Sequence, residues 1–359
     1  MPLSRNKSLL NNHKIMNKKA YIDKKKPSLS SVGRDATFDI ARSFCILWIV
    51  CLLHITTYIE TAWISELGWS LLVKMTYASL GTFTFISGYF LKKKEITNVA
   101  DIKKFYFTRF KRFWIPFFIS ALTLWFIGGV VGKPWFTSTL NFVLSLVGLS
   151  CFWGPLPSTL WFMVMMVLCY LFTPVLLYKS NQGQRIVRSV LLMSILIAIY
   201  ILGHLDERLL VYIPMYLLGL CLPDTFTKAI RNHKTVVIIV TALLLGAVIA
   251  TNTLEGLLLY YVVVPIGYMF IIGLSETLSS LMWVRDVSSI VSYSSMNMYF
   301  FHRQMYLCAI FLFNISMFPN FHGATMPLWF AIIVVIPIII TVSYFLQKGY
   351  DRLLKMIKI

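Results

Sequence analysis

The sequence predicts an all-α, polytopic membrane protein with ten transmembrane helices plus one re-entrant or interfacial segment. Three observations predict it. The 359-residue chain is 58% hydrophobic with a mean hydropathy of +0.74, too apolar for a soluble domain of this size. Its apolar runs are about 20 residues long, the length that crosses a hydrocarbon core. Its cations gather between those runs, so the net charge of +19 reads as the positive-inside pattern rather than as a nucleic-acid surface.

Residues 1–36 carry nine Lys/Arg and read as a basic cytoplasmic tail that can touch anionic lipid. They hold no apolar core or cleavage site of a signal peptide. The first span, 37–58, follows. The second runs over about 69–91. The loop 92–112 carries eight Lys/Arg and is placed inside, and a third span covers about 113–131. The stretch 138–154 is short and ends in GPLP. Because the next span, 159–178, is followed by Lys179, Arg185 and Arg188, it has to start outside. The stretch 138–154 therefore enters and leaves on one side, as a re-entrant or interfacial segment. The remaining spans alternate over about 186–203, 208–222, 235–251, 257–278, 288–313 and 326–347. This arrangement puts 28 of the 33 Lys/Arg inside, with both termini in the cytoplasm of a cell (inner) membrane protein. The outer Lys/Arg are Lys133 and Arg208. One membrane domain, 37–348, lies between the basic tail and a short tail at 349–359. The six cysteines form no CxxC, and neither a disulfide framework nor a metal site is expected.

The first span carries Asp39, Arg42 and His54. Ionisable groups inside a span are costly and face a protein interior or a wet cavity. Histidine suits proton transfer near neutral pH, since its unperturbed pKa is about 6.5. The bland alternatives are that Arg42 snorkels to the inner interface and that His54 bonds a neighbouring helix. Arg109 and Arg112 share a helix face, where two guanidinium forks can hold phosphates or serve as ordinary inside charge. Ser292, Ser295, Tyr299 and His302 form one helical stripe, which suits helix–helix contact as well as a pocket. Arg303 lies beside it, equally deep. The turn His204–Arg208 reads as a solvated turn.

These stretches resemble the acyltransferase 3 family of integral membrane O-acyltransferases. FDIARSFCILWIVCLLH resembles the family's first helix, with its Asp, its Arg or Lys and its His. FISGYFL, RFKRFWIP, LWFMVMMVLCYLFTPVL and VSYSSMNMYFFH resemble later family elements, in family order, over residues 38–305. The resemblance implies transfer of an acyl group, most simply acetyl from acetyl-CoA, to a hydroxyl of a cell-surface polysaccharide, glycolipid or lipid-linked precursor. No metal is implied. It implies His54 as catalytic residue with Arg42 and Asp39, and Arg109 and Arg112 on the CoA phosphates. Ser87, Tyr299 and His302 become acceptor or pocket residues. The implied partners are the carbohydrate or glycolipid acceptor and membrane lipid, with no nucleic acid and no stated oligomer. The family has ten residues between its Arg and His, whereas eleven intervene here. Twelve helical steps leave two residues about 120° apart. Either a π-bulge absorbs the extra residue, or Arg42 does not share the face of His54. The rival functions are a transporter or flippase-like protein, lowered by the lack of an internal repeat, and a non-catalytic membrane partner of a synthase.

Overall fold

The computed structural model describes residues 35–131, 135–251, 256–313 and 325–356. The basic tail before Asp35, Lys133 and the last three residues lie outside the described residues. Among the described residues there is no strand, only one isolated bridge between Ile96 and Tyr178. A chain with this many apolar runs has to satisfy its backbone within each run, and helices do so.

In chain order, α1 is Ala36–Leu47, α2 Glu66–Leu91, α3 Val99–Arg109, α4 Ile115–Val131, α5 Thr139–Leu146 and α6 Trp161–Leu177. Then come α7 Gln182–Ile201, α8 Glu207–Cys221, α9 Asp224–Asn232, α10 Lys234–Thr251, α11 Gly256–Leu278 and α12 Met282–Phe313. The short α13, Leu328–Phe330, leads into α14, Ile336–Met356. Starts are capped as the sequence dictates: Ser65, Asn98, Asn181 and Asp206 each accept a bond from a backbone N–H of the first turn,. Pro174, Pro214 and Pro265 sit inside helices, which neighbours and local adjustment tolerate in a membrane.

Most helices begin and end close to the apolar runs read from the sequence. Two run longer: α12 starts before the apolar run, and α14 continues past it into a polar segment. Among the described residues, six helical stretches are long and apolar enough to cross a membrane on length and composition, or seven if the bent pair α8–α9 counts as one. The helix α6 has 17 residues and falls just short of that measure. The helices α2 and α12 are longer but more polar, with Lys74, Thr82, Asn297 and His302 among their buried residues. The helix α5 has eight residues, about 12 Å of helix, and cannot cross. Gly148, at φ 81°, ends it, and Trp114 Nε1 donates to the Leu146 carbonyl.

The first span is the most enclosed of the six candidates, with 56% of its most apolar window buried against 11% for α7 and α10. The helices α2, α11 and α12 pack against it, and α8 packs on α2. The contact between α2 and α8 is close because Gly88 faces the Tyr216 carbonyl and Gly219 faces the Phe85 carbonyl, where any Cβ would collide with backbone. Small residues permit such approach where no hydrophobic effect drives helices together. At its start, α1 is tied down by charge. Arg231 of α9 reaches Asp35 and Glu276, each at 2.7 Å, and Thr37 donates to Glu276.

Candidate active site

The helix α1 does not continue as a regular α-helix. Trp48–Leu53 forms a π-helical stretch, followed by a 3₁₀ turn over His54–Thr57. The π turn lies between Arg42 and His54, where the extra residue had to be absorbed. The second π stretch, Phe110–Trp114, lies at the Arg109–Arg112 pair. A third, Ala331–Val335, precedes α14.

A cavity of about 1000 Å³ runs inward from the face where these cations gather. Its rim includes Lys104, Arg109, Lys111, Arg112 and Lys355. Asp39, Arg42, Ser87 and Tyr299 line it further in, with Ile46 and Met163. Six of the expected site residues thus share one cavity. Arg42 lies 4.9 Å over the Phe90 ring and Arg109 5.2 Å over the Tyr170 ring. Among the described residues no carboxylate lies within ion-pair distance of Arg109 or Arg112. The carboxylates in the cavity wall are engaged: Asp39 accepts from Ser292 at 2.7 Å, and Asp351 from Tyr293 at 2.5 Å. The stripe on α12 therefore does both things its pattern allowed. Ser292 joins two helices, while Ser295 and Tyr299 face the cavity.

The other two expected residues, His54 and His302, meet each other just beyond the cavity wall. His54 Nδ1 lies 2.6 Å from His302 Nε2, with the rings stacked at 4.7 Å. The other nitrogen of His302, Nδ1, faces two backbone carbonyls, of Tyr299 at 2.8 Å and Met298 at 3.1 Å. Carbonyls only accept, so Nδ1 carries hydrogen. In a neutral ring Nε2 then accepts. The hydrogen between the rings therefore belongs to His54 Nδ1, which leaves His54 Nε2 with a bare lone pair. A partner that sets the tautomer of a neighbouring imidazole is the logic of the Ser-His-Asp triad. Tyr299, which also lines the cavity, supplies one of these carbonyls, so the histidines lie about one helical turn past the wall,.

A second group surrounds the pair. Arg303 Nη1 donates to Tyr58 Oη at 3.1 Å. Tyr306 donates to the Val50 carbonyl of the π stretch at 3.0 Å and stacks on Tyr58 at 4.9 Å. Tyr58 and Tyr306 were not singled out from the sequence. The available signal was their spacing, each four residues after a histidine of the pair. The turn before α8 is structural: Arg208 forks onto Asp206 at 2.7 and 2.8 Å, and Asp206 caps the helix.

No curated protein and no solved structure matches the chain. A family model does, the acyltransferase domain of the acyltransferase 3 family, over residues 35–347. That range takes in α1, the histidine pair and most of the cavity lining, with Asp351 and Lys355 beyond it. The apolar helices make the chain a multi-pass membrane protein. With this match it belongs to the acyltransferase 3 family of membrane acyltransferases.

Proposed function

We propose that the protein transfers an acetyl group from acetyl-CoA to a hydroxyl of a cell-surface polysaccharide, a glycolipid or a lipid-linked precursor. The observation that carries this reading is the histidine pair, which leaves a bare imidazole nitrogen about one helical turn past the wall of a cation-rimmed cavity. Arg109 and Arg112 would hold CoA phosphates, since guanidinium forks match phosphate oxygens and neither cation is committed to a carboxylate among the described residues,. The apolar walls at Phe83, Phe113 and Met166 suit the thin arm of the donor. From Arg42 to His54 the helix covers on the order of 18 Å, so a long, narrow donor is what could bridge rim and base.

In the reaction, His54 Nε2 takes the proton of the acceptor hydroxyl as its oxygen attacks the thioester carbonyl. The imidazolium is held by its Nδ1–H bond to His302. The tetrahedral intermediate then expels the CoA sulfur, the C–S bond breaks, and the proton returns to the thiolate. The products are an ester and free CoA. Asp39 and Arg42 shape the wall between rim and base, and Ser87 and Tyr299 line the path. The cavity opens on the basic face, which the charge pattern assigns to the cytoplasm of the cell membrane, where acyl-CoA is found.

The test is transfer from labelled acetyl-CoA in membranes at matched expression. His54→Gln keeps an amide that can bond His302 but cannot take a proton. It is expected to lose about 10²- to 10⁴-fold in rate, the usual worth of general base catalysis. Transfer near the wild-type rate by His54→Gln would make His54 a structural hydrogen-bonder and remove it from the mechanism.

A further inference from the structure

Arg303 is the cation that the mechanism above leaves unused. It follows His302 directly in α12, is half-buried, and lies within electrostatic reach of both histidines. Among the described residues no carboxylate lies within ion-pair distance of it. Its guanidinium sits 5.4 Å over the Tyr58 ring and donates through Nη1 to the Tyr58 hydroxyl. Its Nε–H is sealed from solvent and has no acceptor among the described residues.

Each of these facts is costly alone. A guanidinium held inside a membrane protein without a counter-charge is disfavoured, and a buried N–H without an acceptor is disfavoured again. The guanidinium is turned onto Tyr58, the last residue of the first span, and onto no carboxylate among the described residues. The Nε edge is the edge that forks onto an oxyanion. An unfilled donor of fixed direction and positive charge, beside a base, is the arrangement that stabilises negative charge arising only during reaction.

We infer that Arg303, backed by Tyr58, binds the oxyanion that forms on the acyl carbonyl during transfer. This rests on the acyl-transfer reading. As the hydroxyl oxygen adds to the thioester carbon, the π electrons move onto the carbonyl oxygen, which becomes negative. The proton goes to His54 in the same step. The site then holds an imidazolium and an oxyanion, with Arg303 on the oxyanion. When the C–S bond breaks, the negative charge leaves with the sulfur. Tyr58 fixes the guanidinium by its ring and hydroxyl, and Tyr306 holds the Tyr58 ring, so Tyr58 is a positioning residue.

The experiment compares Arg303→Gln, Arg303→Lys and Tyr58→Phe with the wild type. Transfer from labelled acetyl-CoA is measured in membranes, and acceptor-free hydrolysis of acetyl-CoA is measured on purified protein. Loss of an oxyanion donor is worth roughly 10²- to 10³-fold in kcat. Arg303→Gln is expected to lose that much in both assays with an unchanged KM for acetyl-CoA. Arg303→Lys keeps the charge, loses the fork, and is expected to recover only part of the loss. Tyr58→Phe keeps the ring and is expected to fall less than Arg303→Gln. A fall in transfer with hydrolysis intact would mean that Arg303 holds an anionic group of the acceptor, and would overturn the inference. So would a change confined to KM, or wild-type kcat in Arg303→Gln. If Arg303→Gln does not fold, the split between kcat and KM in Arg303→Lys and Tyr58→Phe decides by the same criteria. A wild-type protein that moves no acetyl group at all would sink the acyl-transfer reading instead. The anion site is then judged with acetate, which should raise the melting temperature of the wild type above a chloride control of equal ionic strength, and should not do so for Arg303→Lys.

Discussion

A guanidinium and an ammonium carry the same charge, yet this cavity places arginine where its shape would matter. Arg109 stands over the face of Tyr170, and Arg112 is exposed at the rim. Neither is committed to a carboxylate among the described residues. If they served only as inside charge, lysine would replace them at no loss. If they hold phosphate, lysine offers a point charge in place of a planar fork. Arg109→Lys or Arg112→Lys is therefore expected to raise the KM for acetyl-CoA by several-fold. A lost charge-assisted bond is worth roughly 1.5–3 kcal/mol, so the double alanine variant is expected to raise it by at least about tenfold, with protein abundance unchanged. The measurement is labelled-acetate transfer against acetyl-CoA concentration, and an unaltered KM in the double variant would reduce the pair to topology charges. The same scale separates His54 from His302. His302 is buried and His54 half-buried, but the carbonyls at His302 Nδ1 give it a fixed hydrogen, and that leaves His54 alone with a free nitrogen.

At the scale of elements, the first span has two jobs that a regular helix of this sequence cannot do together. Its inner part must hold Asp39 and Arg42 at the cavity, and its outer part must hold His54 against His302. Twelve regular steps would set Arg42 and His54 about 120° apart. The π stretch Trp48–Leu53 absorbs one residue and resolves the mismatch. Leu52 within it is 45% exposed, so removing it takes little from the core. Deleting Leu52 is expected to let the stretch close as α-helix and to keep transfer within about tenfold of wild type, a barrier change under roughly 1.4 kcal/mol. Inserting an alanine after Leu52 adds a further rotation of about 100° and is expected to abolish transfer. Equal loss in both variants would mean that the π turn does not set the register. This part of the site was legible in the sequence, because a count of residues between two polar positions is a statement about angles. The helix positions were legible too, since apolar runs and cation clusters mark where the chain enters and leaves lipid. The meeting of His54 with His302, 248 positions apart, was not. Periodicity reports which face of a helix is polar and says nothing of which helix that face meets. The same limit hid Tyr58, whose aromatic ring reads as core until Arg303 is seen above it.

At the scale of the whole molecule, acyl transfer across a membrane depends on sidedness. The cations Lys104, Arg112 and Lys355 line the cavity at its rim, and the histidine pair lies past the wall that Tyr299 forms. Charge asymmetry is the ground on which we propose that the basic face meets the cytoplasm. The helix α2 provides a ruler for testing it, because its 26 residues span about 39 Å and its two flanks carry exposed charges of opposite sign. Glu60 precedes it and Lys93 follows it, and both are exposed. Most native cysteines are buried, and Cys308 is exposed, so a Cys308→Ser background leaves a quiet protein. In intact cells a membrane-impermeant thiol reagent is expected to label Glu60→Cys. It should leave Lys93→Cys untouched until the membrane is opened. Labelling of Lys93→Cys from outside would turn the molecule over. Arg109 and Arg112 would then face a compartment without acyl-CoA, and both their role as phosphate ligands and the direction of acyl transfer would fall together.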